Sequence, residues 1–145
     1  MANVFERIIV AVDGSEVAKR AAKKAFALAQ SIDIPVVALH VMNVPDLPSS
    51  SAYPGAIRYQ EMREFIQKEG QLYLDELEQL GNQMGITVSK KLLEGHPAEE
   101  IIKEAQEGDL IVMGSKGRTG LDRLLMGSVA ENVARHASCP VMIVK

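Results

Sequence analysis

Five short apolar runs recur along the chain: RIIVAV (7–12), PVVALHVM (35–42), ITVSKKLL (86–93), DLIVMG (109–114) and PVMIVK (140–145). Four are rich in β-branched residues and nearly unbroken in apolarity, the pattern of strands covered on both faces of a parallel sheet. The third alternates, with Ile86 and Val88 followed by Lys90 and Lys91, as a strand nearer an edge does. Between the runs, apolar residues return at three-and-four spacing. Val17, Ala18, Ala21, Ala22, Ala25, Leu28 and Ala29 predict a helix over 15–31 packed closely on a sheet, with Ser15 as its N-cap. Met62, Phe65, Ile66, Leu72, Tyr73, Leu77 and Leu80 predict a second over 59–83. Pro97, a residue favoured at a first helical position, opens a third over 97–107, and 128–137 form the last. Strand and helix alternate four times and a strand closes the series. That order implies α/β architecture: a parallel sheet with helices on both faces and right-handed crossovers. The 145 residues suit a single domain over 1–145, and no internal repeat is visible.

Composition narrows the function classes. Net charge is −3, no run of five or more Lys/Arg occurs, and aromatic residues are limited to three tyrosines and three phenylalanines. A nucleic-acid binder needs a basic face to displace counterions and aromatic faces for stacking, so nucleic acid is disfavoured as a partner. The one cysteine, Cys139, allows neither an intrachain disulfide nor a cysteine metal cluster and reads as a small buried hydrophobe. The N-terminus MANVFERIIVAVDG lacks the pattern of a signal peptide, and no apolar stretch approaches the ~18 residues needed to span a bilayer. The expected location is cytoplasmic, with no membrane partner.

In open α/β sheets, ligands sit beyond the carboxyl ends of the strands. Two loops there carry chemistry. The fourth strand runs into GSKGRTGLDRLLMGSVAEN (114–132), where Gly114 and Gly117 are followed by Gly127-Ser128 at a helix start. Glycines let a ligand approach the backbone, and a helix N-terminus offers unpaired N–H groups and partial positive charge. Together they make an anion site of the phosphate-loop kind. Lys116, Arg118 and Arg123 would add charge. A second reading of the same residues stays open: Ser128-Val129-Ala130-Glu131 fits a capping box, which would occupy those N–H groups. The first strand ends in VDGSE (12–16). Asp13 there can accept from an exocyclic amine or a ribose hydroxyl, or can form an Asx turn.

Neither GxxxxGK[ST] nor GxGxxG is present. His96 and His136 stand at helix ends, where capping roles are expected, and His40 has no partner by spacing. Residues 43–58, with three prolines and a serine triplet, read as a long loop, either a ligand flap or a surface excursion.

Gly-x-x-Gly, nine residues, then Gly-Ser, preceded by DLIVMGS and followed by SVAENVARHASCPVMIVK, resembles the universal stress protein family in its ATP-binding branch. RIIVAVDGSE resembles that family's opening strand and turn, and the likeness covers essentially the whole chain. It implies an open doubly wound five-stranded parallel sheet of order 3-2-1-4-5, adenine nucleotide α-hydrolase-like, with the crevice between the first and fourth strands. By position it implies that Asp13 contacts adenine and that Val41 bonds the adenine edge through its backbone. Gly114 would lie against the ribose, and Gly117, Arg118, Gly127, Ser128 and Val129 would hold phosphates. It further implies a homodimer paired through Val141, Met142, Ile143 and Val144, an apolar strand whose edge invites a second chain. The function so implied is a cytoplasmic ATP-binding sensor or regulator in stress response, acting on an unnamed protein partner by binding rather than by fast turnover. Slow ATP hydrolysis stays open. If Mg or Mn accompanies the nucleotide, Asp122 and Ser128 are the nearby ligands to propose. Two rivals remain: a nucleotide-hydrolysing or adenylyl-transferring enzyme of the same fold, and a nucleotide-free dimeric interaction module.

Overall fold

The computed structural model describes residues 4–46, 53–116 and 126–145, with the backbone alone for 53–57. The elements follow in the order β1 (Arg7–Ala11), α1 (Glu16–Ile32), β2 (Val36–Met42), α2 (Tyr53–Gln83), β3 (Val88–Glu94), α3 (Pro97–Glu104), β4 (Asp109–Gly114), α4 (Ser128–His136) and β5 (Val141–Val144). All neighbouring strand pairs are parallel, and the sheet order is β3-β2-β1-β4-β5, the order implied by the resemblance. From β1 the chain works outward to one edge, then returns to the other side at β4. The strand order therefore reverses between β1 and β4, where such sheets open a crevice.

Burial explains the order. β1 and β4 are the most fully buried strands and lie inside the sheet; all six residues of β4 are buried. In β3 only Val88 is buried, and this strand takes an edge, as its alternation predicts. Its lysines are held from both faces: Lys90 reaches Asp75 of α2 at 2.9 Å, and Lys91 reaches Glu104 of α3 at 2.7 Å.

Successive residues of β1 point to opposite faces. Ile8 and Val10 enter one core with Phe26 of α1 and Leu74 and Leu77 of α2. Ile9 and Ala11 enter the other with Ile101 of α3 and Ala130 and Val133 of α4. In α1 the sheet-facing positions are Ala18, Ala21, Ala22, Ala25 and Ala29, all buried, so its backbone rides close to the strands. The Ser15 hydroxyl caps α1 by accepting the Ala18 N–H at 3.1 Å, as its position predicts.

Two helix boundaries differ from expectation by three residues or more. α2 begins at Tyr53, so residues 53–58 are helix and not part of a loop reaching 58. Pro54 reads as a breaker in sequence, but it falls in the first turn, where its missing N–H has no intrahelical partner to lose. Residues 47–52 of that expected loop lie outside the described residues. α3 ends at Glu104, not 107, because Ala105 turns to extended backbone and Gly108 then takes φ +100° to enter β4.

At the amino end of the sheet, register partners Arg7 and Asp109 form a two-pronged ion pair at 3.0 and 2.7 Å. Asp109 is buried and also accepts the Gln106 N–H at 2.8 Å. Burial pushes its carboxyl upward, but the Arg7 hydrogen bond and the Gln106 N–H outweigh that and hold it below the usual carboxylate range. Burial raises the nearby Cys139 thiol, which packs as a partly buried apolar group against the α3–α4 core.

Candidate functional site

Past β1 the chain turns sharply at Asp13. One carboxylate oxygen accepts the Ser15 N–H at 3.0 Å, an Asx turn. Gly14 holds φ +86°, and a Cβ there would fall 2.5 Å from Cζ of Tyr73. The turn thus needs glycine both for its left-handed backbone and for the aromatic ring packed against it. Asp13 makes the Asx turn, and it also lines a pocket beyond the strand ends.

That pocket has a volume of about 140 Å³. Leu39 and Val41 of β2, Ile101 of α3, Met113 of β4 and Ala130 of α4 give it apolar walls. Asp13 and Lys116 stand among its polar lining. A dry cavity of about 150 Å³ accommodates one aromatic ring, so this pocket suits a flat heterocycle with the rest of a ligand lying outside.

Gly114 closes β4 at the pocket wall. A Cβ on it would meet Val17 Cγ1 at 2.6 Å and the Ala18 backbone nitrogen at 3.2 Å. The first turn of α1 therefore packs directly on Gly114. This is a packing requirement for glycine, beside the ribose contact that the resemblance implies.

The start of α4 corrects one sequence reading. The N-cap is Gly127, at φ −73° and ψ 164°, not Ser128. Its N–H donates to the Ser115 carbonyl at 2.6 Å, and its carbonyl accepts the Glu131 N–H at 3.0 Å. A capping box needs the hydroxyl at the N-cap and the carboxylate three residues later. Here Ser128 is already the first helical residue, one position too late, and Glu131 pairs instead with Arg135 at 2.9 Å. The positive end of α4 borders the pocket, since Val129 and Ala130 line it.

Of the residues predicted from sequence, Asp13, Val41, Gly114 and Val129 line this one pocket, and Gly127 and Ser128 stand at the adjoining helix start. Gly117, Arg118, Asp122 and Arg123 lie outside the described residues. His136 behaves as expected, its Nδ1 donating to the Asn132 carbonyl at 3.0 Å near the end of α4. His96 occupies the N-cap position of α3 but makes no side-chain cap bond. Sequence reasoning missed His40, whose Nδ1 meets the Val12 carbonyl at 2.7 Å. A signal existed: in LHV it alternates with Leu39 and Val41 and so must face the other side of the sheet. Among the described residues, no cluster of three or more His, Cys, Asp or Glu could hold a metal, and no helix is long and apolar enough to cross a membrane.

A sequence profile described as the Universal stress protein family matches residues 5–145. Universal stress protein MJ0531 of Methanocaldococcus jannaschii is 38% identical over 145 residues, covering 99% of this chain and 84% of that protein. Universal stress protein YxiE of Bacillus subtilis is 32% identical over 148 residues, covering 98% and 100%. Among solved structures, universal stress protein UspA from Lactobacillus plantarum matches with TM-score 0.86 at 23% identity, covering 99% and 100% of the two chains. A universal stress protein in complex with cAMP matches with TM-score 0.72 at 24% identity, covering 99% of each chain. One from Archaeoglobus fulgidus in complex with dAMP matches with TM-score 0.61 at 23% identity, covering 99% and 100%. At these identities the structural likeness speaks for the fold.

Proposed function

Because this chain belongs to the universal stress protein family, we propose that it binds an adenine nucleotide, ATP foremost, at the carboxyl ends of β1, β2 and β4. One observation carries the reading: Asp13, just past β1, Val41 of β2 and Gly114 of β4 meet at one ring-sized apolar pocket bordered by the start of α4. The residues fit such a ligand. Apolar walls suit a heterocycle, Asp13 supplies an acceptor for an amine or hydroxyl, and Val41 supplies backbone for the base edge. Gly127, Ser128 and Val129, with Gly117 and Arg118, are the residues to hold phosphates, in keeping with the affinity of helix N-termini for anions. Bound ATP would supply an aromatic base to the pocket and an anionic triphosphate to that helix. Asp122 and Ser128 are the residues to carry a Mg or Mn ion with it. That two structural neighbours were solved with cAMP and dAMP supports the adenine class.

The protein acts as a stress-linked cytoplasmic regulator built from one domain, residues 1–145, and paired as a homodimer through β5. Nucleotide occupancy alters the surface offered to a protein partner, so binding rather than turnover is the functional event. A nucleotide panel of ATP, ADP, AMP and GTP, read by thermal shift and calorimetry, tests this. Ligand at 100 times its Kd stabilises the native state by about 2.7 kcal/mol. Adenine nucleotides should raise Tm and GTP should not, and Gly117→Val and Gly127→Val should abolish the effect with the dimer intact. No shift with any adenine nucleotide defeats the reading.

A further inference from the structure

The pairing of β1 with β2 runs from Ile8↔Val36 to Ala11↔Leu39. One residue further, the Val12 N–H still donates to the Leu39 carbonyl at 2.9 Å. In a parallel ladder, a residue that donates to its neighbour strand also accepts from it, two positions further along that strand. A continued ladder would therefore bond the Val41 N–H to the Val12 carbonyl. That carbonyl is met instead by the His40 imidazole, Nδ1 to oxygen 2.7 Å. A carbonyl oxygen only accepts, so Nδ1 carries the proton.

The imidazole is held in place from α2. Tyr73 stands edge-on to it, with ring centroids 5.3 Å apart and planes at 80°. Gly70 leaves it room: a Cβ there would fall 2.8 Å from His40 Cδ2. The same Tyr73 ring rests against Gly14, one residue past Asp13. Leu39 and Val41 pack into the opposite core, and they border the pocket together with His40.

We propose that His40 is a positioning residue for the nucleotide site: by holding the Val12 carbonyl it ends the β1–β2 ladder at Leu39 and leaves the Val41 N–H for the edge of an adenine base. The same bond fixes the peptide plane between Val12 and Asp13, and with it the direction of the Asp13 carboxylate. The inference rests on the adenine reading above and goes beyond it by assigning a side chain that acts on the site through the Val12 carbonyl.

Amide hydrogen exchange on the nucleotide-free protein, paired with ATP and AMP titration of His40→Leu and His40→Asn, tests it. Asn carries an N–H donor at the same bond distance from the backbone as Nδ1; Leu carries none. In the wild type and in His40→Asn, the Val41 amide should exchange at least about tenfold faster than the Leu39 amide, which lies inside the sheet. In His40→Leu, the freed Val12 carbonyl should take the Val41 N–H and slow its exchange. Nucleotide affinity should fall about tenfold in His40→Leu, the scale of one hydrogen bond, and be restored to within about threefold by Asn. A wild-type Val41 amide as protected as Leu39 overturns the proposal even if His40→Leu fails to fold. So does a folded His40→Leu that binds as tightly as the wild type. If the wild type binds no adenine nucleotide, the adenine reading itself fails, and the exchange ratio alone then decides whether His40 ends the ladder.

Discussion

The backbone N–H of Gly127 donates to the Ser115 carbonyl across 2.6 Å, so α4 starts one hydrogen bond from the end of β4. This bond sets the positive end of the helix beside the pocket and makes a glycine, with no side chain to cap the amides, the N-cap. Gly127→Asp turns this into a test with two opposite signs. The extended cap backbone suits Asp, whose carboxylate would bond the first-turn amides, and replacing Gly at a cap changes stability by only a few tenths of a kcal/mol. Apo stability should hold or rise slightly, while ATP affinity falls more than about tenfold through charge repulsion and loss of those donors. Calorimetric titration alongside urea denaturation reads both. Undiminished ATP binding places the phosphates elsewhere.

Gly114→Val should lower stability by about 1–3 kcal/mol, the usual range for overpacking. Its new atoms would press on Val17 and on the backbone of Ala18 in the first turn of α1. The urea midpoint should drop with the slope of the transition unchanged. A stability equal to that of the wild type would mean that α1 yields at no cost.

The Arg7–Asp109 pair sets an acid limit. The Asp109 carboxyl is lowered in the folded state, so its contribution is fully present above the unfolded value of about 3.9. It is lost as pH falls below that value and through the folded one. Asp109→Asn should therefore cost about 2 kcal/mol at neutral pH, the scale of hydrogen bonds to a charged group. It should also flatten the stability profile below about pH 4. Urea melts from pH 7 to pH 3 check both, and parallel profiles for the two proteins refute the assignment.

Met142→Lys probes the proposed pairing through β5. Met142 is 39% exposed on this edge strand, while Val141 and Ile143 pack inward against the α3–α4 core. A charge on an edge strand opposes pairing with a second chain and leaves the fold unaffected. Sedimentation should show a dimer become a monomer with unchanged circular dichroism. A wild type already monomeric at tens of micromolar excludes the pairing.

Strand and helix positions were readable along the chain because each depends on local periodicity. The β-branched runs, the alanine face of α1 and the Ser15 cap all mark themselves within a few residues. The edge position of β3 was readable too, from Lys90 and Lys91 breaking an apolar run. The start of α2 was misread because Pro54 interrupts or initiates a helix according to a position that the pattern alone does not give. Strand order came from resemblance and not from periodicity, since every parallel pairing uses the same backbone bonds.

At the site, residue types were legible and their geometry was not. Gly127-Ser128 announced a helix start, but whether Ser128 caps the helix or follows the cap turned on a single residue, settled by the bond from Gly127 to Ser115. His40 looked idle because its partners, Val12, Gly70 and Tyr73, lie 28 or more residues away in the chain. The sequence by itself determined which segments become strands and helices, because short-range spacing and capping act within a turn or two. Only the tertiary structure decided which carbonyl the His40 imidazole takes and which glycine caps α4, because those bonds join segments that meet only once the sheet has assembled.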